Sequence, residues 1–272
     1  MLAALVITLR EGLEAALIVG AVLAVLRRLN RSDQYRAVWL GVGVAIVISV
    51  IVGAAFHAVG VALEGRAEAL FEGLAMLLAA LVLSWMVLWM QRQGRRTQRE
   101  LEAKTRQASQ SNSGRMLFGL AFVAVVREGI ETMLFLTAAA FGSTLRQTLL
   151  GGALGLLIAV AVGVAVFALG KRLDIRAFFR ATSVVLILFA AGLAARGVHE
   201  LQEAGLPLIF TAQAWDISSL LSETSLIGGL LKSLFGYNSN PSLLEVIVYL
   251  AYFPALWLLS RRLSLHLDEV QT

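Results

Sequence analysis

From Ala37 to Ala62 the chain carries no Asp, Glu, Lys or Arg, and from Gln147 to Gly170 the same is true. Runs of that kind exceed the ~20 residues needed to cross a ~30 Å hydrocarbon core as a helix. In lipid the backbone must satisfy its own hydrogen bonds, which a helix does within one segment. The sequence therefore predicts an all-α polytopic membrane protein. Composition agrees, because 58% hydrophobic and 15% charged residues leave too little charged surface for a soluble domain of 272 residues. Met1 leads straight into apolar residues without a basic stretch or a small-residue cleavage site before Arg10, so the first span is expected to be retained. Cysteine is absent, which excludes disulfides, thiolate metal sites and cysteine nucleophiles.

Seven spans are predicted, at about 2–26, 37–62, 68–91, 116–141, 147–170, 178–204 and 242–260. The basic residues then sort by side. Arg27, Arg28, Arg31 and Arg36 follow the first span, and Arg92, Arg95, Arg96, Arg99, Lys104, Arg106 and Arg115 follow the third. Lys171, Arg172, Arg176 and Arg180 separate the fifth and sixth, and Arg261 and Arg262 follow the seventh. The other side holds Arg66, Arg146 and Lys232 alone. The positive-inside rule places the N-terminus outside and the C-terminus in the cytoplasm. The net charge of +5 is thus a matter of orientation and of contact with anionic lipid, not of nucleic acid.

Against this apolar background, two short motifs stand out. Arg10-Glu11-Gly12-Leu13-Glu14 and Arg127-Glu128-Gly129-Ile130-Glu131 both lie inside spans. An ionisable residue at mid-membrane costs roughly 2.5–3.5 kcal/mol on insertion scales, so such groups mark binding sites or ion paths. On a helix the two glutamates of each motif share a face, and each arginine reaches the second glutamate four residues on. At 1.5 Å per residue, Glu11 and Glu14 lie roughly 13–18 Å from the outer end of their span. Glu128 and Glu131 lie roughly 18–22 Å from the inner end of theirs by the same rise. Gly12 and Gly129 allow another helix to approach.

The motif recurs after 117 residues, and Leu63-Glu64-Gly65-Arg66-Ala67 is echoed by Leu173-Asp174-Ile175-Arg176-Ala177 after 110. Spans one to three therefore read as a copy of spans four to six. Three is odd, so the second copy enters inverted, the arrangement with which many transporters build a midplane site. The expected organisation is a first three-helix repeat (1–91) and a basic cytoplasmic loop (92–115), read as a charged helix and a flexible Ser-rich linker. A second, inverted repeat (116–204), an outer loop with an interfacial helix (205–241), and a seventh helix with a cytoplasmic tail (242–272) follow. Gly228-Gly229 and several serines interrupt the apolar pattern there, which favours a short interfacial helix over another span.

Four carboxylates without thiols suit hard cations: Mg²⁺, Ca²⁺, Mn²⁺ and, on the same ground, ferric iron. Glu11, Glu14, Glu128 and Glu131 are the candidate metal ligands, with Arg10 and Arg127 balancing charge. Fully ionised, these six groups sum to −2, which a divalent cation neutralises alone. A trivalent one needs a further acid, and Glu72, Glu203 and Glu245 near outer span ends are candidates for an additional metal path. No nucleophile–base set, zinc motif or phosphate loop is present, so an enzyme is not expected and no permanently bound cofactor is implied. A proton-coupled transporter or exchanger of another hard cation is the alternative.

The chain resembles the oxidase-dependent iron transporter family, the iron permeases. The resemblance covers nearly the whole chain and rests on Leu9 to Val19, Leu70-Phe71-Glu72-Gly73, Ala124 to Glu131, Glu203-Ala204-Gly205-Leu206 and Phe235-Gly236-Tyr237. It implies seven spans, an outside N-terminus and import of iron, as ferric iron made by a partner, with Glu11, Glu14, Glu128 and Glu131 as iron ligands. It also implies partners: a periplasmic iron-binding cupredoxin-like protein and a haem peroxidase-like protein, or a multicopper oxidase. His199, Glu200 and Gln202 depart from the family pattern, so only Glu203 is carried over there. His57 and His199 are read as satisfied interfacial residues, and Arg196 as a partner of Glu200. Gly151-x-x-x-Gly155 suits a close helix contact, either internal or in an oligomer.

Overall fold

The computed structural model describes residues 1–93, 96–110, 113–167, 174–207, 209–223 and 225–268. Arg95, Ser111, Asn112, Lys171, Arg172 and Leu173 of the segments named above lie outside the described residues. The elements are α1 (Leu2–Arg28), α2 (Tyr35–Ala62), α3 (Arg66–Gln93), α4 (Arg96–Gln110), α5 (Gly114–Phe141), α6 (Leu145–Phe167), α7 (Ile175–Glu203), α8 (Leu226–Phe235) and α9 (Leu243–Asp268). No strand occurs among the described residues. Five helices are long and apolar enough to span a membrane: α2, α3, α6, α7 and α9. With 27 and 28 residues, α1 and α5 also have the length. Their apolarity is interrupted by the three charges of the motif each carries. The protein is a multi-pass membrane protein.

The chain divides into two compact units, Met1–Val59 with Gln91–Thr182 and Gly60–Met90 with Ser183–Thr272. In the first unit, contacts at glycines reveal the direction and register of packing. A Cβ placed on Gly151 would meet Ala4, on Gly155 Thr8, on Gly12 Ala159 (2.8 Å) and on Gly163 Ala16 (3.0 Å). Partner numbers rise together along both chains, so α1 and α6 run parallel. Likewise Gly41 meets Ala121, Gly129 meets Ser49, and Gly53 meets Met133, so α2 and α5 also run parallel. Small residues let these backbones close in where water-driven hydrophobic association is lacking. Gly151 and Gly155 thus serve an internal contact.

Val19, Val22 and Leu26 of α1 bury against Leu117, Ala121 and Val125 of α5, with Val38 and Ala45 of α2 and Ala108 of α4. The charged α4 is therefore more than a solvated loop: Thr105, Ala108 and Ser109 are buried, and Gln34 Nε2 donates to the Ser109 carbonyl at 3.5 Å. Nor is the serine-rich stretch simply a linker. Its Ser113 hydroxyl accepts from Met116 N at 3.3 Å and caps α5.

In the second unit, α3 and α7 touch backbone to backbone. A Cβ on Gly73 would stand 2.8 Å from the Gly197 carbonyl, and one on Gly197 2.9 Å from the Gly73 carbonyl. The hydroxyls of Ser84 and Tyr252 join α3 to α9 at 2.8 Å. The segment between α7 and α9 is tied to itself. Ser225 caps α8 through Gly228 N at 3.0 Å, Tyr237 donates to the Leu221 carbonyl at 2.9 Å, and Gln213 bonds Asn240. Gly228-Gly229 lies inside the first turns of α8, with Gly228 packed against the Ser222 backbone. Gly236 ends α8 at φ 68°, where a side chain would be strained and would also strike Gly192.

Glu223 holds this segment between α7 and α9 together. Its carboxylate accepts from Lys232 Nζ (2.5 Å), Ser239 N (3.1 Å) and the Ser239 hydroxyl (3.2 Å). Burial pushes its pKa up, but these donors hold it below the usual glutamate value. Asp216 is likewise held below its ordinary value by the Ser218 hydroxyl and N–H.

Candidate metal site

The first motif sits at mid-length of α1. Arg10 is fully buried and splits its guanidinium between two acids, with Nη1 2.7 Å from Glu11 Oε1 and Nη2 3.0 Å from Glu14 Oε1. The Phe179 ring lies 6.0 Å from the guanidinium carbon, within cation–π range. On α5, Arg127 Nε donates to Glu131 Oε1 at 2.9 Å and stands 3.9 Å from Glu128 Oε1. Both arginines thus reach the glutamate four residues on, as helical spacing requires. Gly12 faces α6 and Gly129 faces α2, so each motif is braced by a helix packed directly on its central glycine.

Helix packing brings three of the four expected ligands together. Glu11, Glu128 and Glu131 each present a carboxylate oxygen, and these atoms lie within 4.8 Å of one another. Glu128 is within hydrogen-bonding reach of Glu11. Glu14 is outside that trio, yet close enough to feel the charges of Glu131 and Arg127. Glu11 Oε2, Glu128 Oε2 and Glu131 Oε2 are buried without a hydrogen-bond partner. Leaving an acceptor in that state costs about 1–3 kcal/mol or more for a charged group. A trio of converging acids that together carry three unpartnered oxygens therefore fits a hard cation.

Glu72, Glu203 and Glu245 fare differently. Glu72 and Glu203 line an open cleft of about 490 Å³ in the second unit, together with Glu68, Glu200 and Arg66. Glu68 and Glu200 were not singled out for this from sequence. The signal was their spacing, since Glu68 and Glu72 are one turn apart, as are Glu200 and Glu203. Glu245 is engaged elsewhere. Its carboxylate accepts from Ser242 N (2.8 Å), Asn238 Nδ2 (3.0 Å) and His199 Nδ1 (2.9 Å), while Ser242 Oγ accepts from Glu245 N (3.2 Å). Ser242 and Glu245 thus form a capping box at the start of α9, legible as Ser-x-x-Glu. His199 is satisfied, lying between Glu245 and Glu203 (3.2 Å). Arg196 makes no ion pair with Glu200 within 4 Å among the described residues.

Residues 1–261 match the model of the iron permease FTR1 family. The chain belongs to that family. It is 37% identical over 253 residues to the ferrous iron permease EfeU of Yersinia pestis, covering 92% of this chain and 90% of the relative. Identity to the ferrous iron permease EfeU of Escherichia coli O157:H7 is 38%, covering 92% of both. No solved structure matches. In this iron permease family member, the stretches that carry the resemblance fall on distinct elements. Leu9 to Val19 is on α1, Leu70 to Gly73 on α3, Ala124 to Glu131 on α5, Glu203 ends α7, and Phe235 to Tyr237 closes α8.

Proposed function

We propose that this chain is an iron permease that carries iron across the cytoplasmic membrane through the carboxylates of Glu11, Glu14, Glu128 and Glu131, without enzymatic activity. One observation carries the reading: Glu11, Glu128 and Glu131, from two different helices, bring carboxylate oxygens within 4.8 Å of one another, and each also has a buried oxygen without a hydrogen-bond partner. The relatives are named ferrous iron permeases. The −2 of four glutamates and two arginines suits Fe²⁺ without help. Ferric iron, handed over by an oxidase or peroxidase-like partner, needs a further acid to balance its charge.

The site belongs to an inverted 3+3 repeat with a seventh helix, N-terminus outside. The packing register supports this. Adding the motif spacing of 117 to an α1 residue, and subtracting the second spacing of 110 from its α6 partner, turns Gly12 on Ala159 into Gly129 on Ser49. The same operation turns Ala16 on Gly163 into Met133 on Gly53, and Ala4 on Gly151 into Ala121 on Gly41. Two sequence spacings thus reproduce three spatial contacts, as a dyad in the membrane plane requires.

The test is uptake into proteoliposomes of iron, ferrous under reductant and ferric under oxidant, by the unmodified chain and by Glu11→Gln, Glu128→Gln and Glu131→Gln. Uptake is expected to fall at least tenfold in each variant while all three remain folded. Full uptake by all three variants removes the reading. Proton flux without iron flux would favour exchange of another cation.

A further inference from the structure

The two motif copies are alike in sequence but not in surroundings. The Arg10 side chain is 0% exposed and the Arg127 side chain 46% exposed. Arg10 is held by two acids through separate nitrogens and has Phe179 beside it. Arg127 holds Glu131 closely and Glu128 only at 3.9 Å. It also stands roughly 20 Å from either end of α5, at 1.5 Å per residue. Val123 (63% exposed) and Ile130 (42% exposed) share its face of the helix.

A half-exposed guanidinium at that depth does not face hydrocarbon. Intramembrane cations face the bundle interior or a water-filled cavity. Water on this side gives a cation a way to the carboxylates that the sealed Arg10 side does not offer. A cation arriving there competes with Arg127 for Glu131, and the guanidinium has room to swing away. Arg10 has none.

We propose that the two motif arginines differ in role: Arg127 stands on the water-accessible side of the carboxylate cluster and gives way to the incoming cation, whereas Arg10 is a fixed positioning residue for Glu11 and Glu14. The displacement rests on the iron reading above, but the water-accessible face does not.

Because the chain has no cysteine, single cysteines can be introduced without background. Val123→Cys and Ile130→Cys are to be labelled in membranes with a charged, membrane-impermeant methanethiosulfonate. Leu157→Cys on α6 and Val47→Cys on α2, also exposed apolar positions, serve as lipid-facing controls. Labelling at 123 and 130 is expected to be at least ~10-fold faster than in the controls, because thiolate chemistry needs water. Rates no faster than the controls, or disulfides between Ile130→Cys copies, overturn the proposal.

A second arm compares Arg127→Lys with Arg10→Lys in iron uptake. Lysine keeps the charge but loses the fork, so it can replace a displaceable counter-ion and not a two-handed clamp. Arg127→Lys is expected to change KM with Vmax kept within about threefold, and Arg10→Lys to lose Vmax by about tenfold or more. Equal losses overturn the assignment. Should Arg10→Lys fail to reach the membrane, the labelling arm decides alone. That arm uses no iron, so its failure counts against the accessible face, whereas absent uptake by the unmodified chain counts against the permease reading.

Discussion

Gly12→Ala offers a quantitative test of how the site is braced. The added Cβ would stand 2.8 Å from Ala159 Cβ, which is 0.6 Å short of the 3.4 Å where ordinary contact begins. Its second neighbour, Leu156 Cδ1, is at 3.4 Å and needs no change. Neither methyl carbon can rotate out of the way, so α1 and α6 must move apart by at least that 0.6 Å. Overpacking of this kind costs about 1–3 kcal/mol, or roughly 5- to 150-fold in a folding equilibrium at 1.4 kcal/mol per decade. Since Gly12 lies between Glu11 and Glu14, the same movement shifts both carboxylates relative to Glu128 and Glu131. Iron uptake is therefore expected to fall together with stability. Ala159→Gly removes the opposing methyl and is expected to restore both, less the ~1 kcal/mol that glycine costs inside a helix. Thermal unfolding of the detergent-solubilised protein and proteoliposome uptake would be measured on the single and double variants. A Gly12→Ala protein as stable and active as the unmodified chain, or a double variant no better than the single, would refute the contact and its link to the site.

Two further outcomes follow from the second unit. Ser242→Ala removes the hydroxyl half of the capping box and is expected to destabilise the start of α9 by about 0.5–2 kcal/mol, read as faster amide exchange at residues 243–246 with iron binding retained. Glu223 has a pKa held below its unfolded value by Lys232 and Ser239. Its contribution is complete above the ordinary glutamate range and lost as pH falls through the lower, folded-state value. The segment between α7 and α9 is expected to loosen on acidification, detected by proteolysis between residues 209 and 240, and Glu223→Gln should abolish that pH dependence.

Much of the helical framework was legible because burial in lipid leaves the backbone one economical choice. Apolar runs such as Ala37–Ala62 and Leu145–Phe167 declare themselves by length alone. α1 and α5 were recognised in spite of their charges, since Arg10 and Arg127 sit at the spacing that lets each reach its own glutamate. α4 was only half readable: its charges announced a helix outside the membrane, but Thr105, Ala108 and Ser109 bury because of what lies opposite them. Glu245 looked like one outer acid among several. Its Ser-x-x-Glu context carried the capping signal, which was overshadowed by the search for metal ligands. The segment between α7 and α9 hid its order because its ties, Glu223 to Ser239 and Tyr237 to Leu221, join residues 16 apart with no periodic pattern between them.

By itself, the sequence determined that two Arg-Glu-Gly-x-Glu motifs would fall on long, largely apolar helices and that each would present its acids on one helical face. Those follow from helix geometry and the cost of charge in hydrocarbon, both local. Only tertiary packing decided that Glu11, Glu128 and Glu131 meet while Glu14 stays with Arg10, and that one arginine is sealed and the other open. Distances across helices depend on how small residues such as Gly12 and Gly129 let neighbouring backbones close in, and no stretch of one helix contains that information.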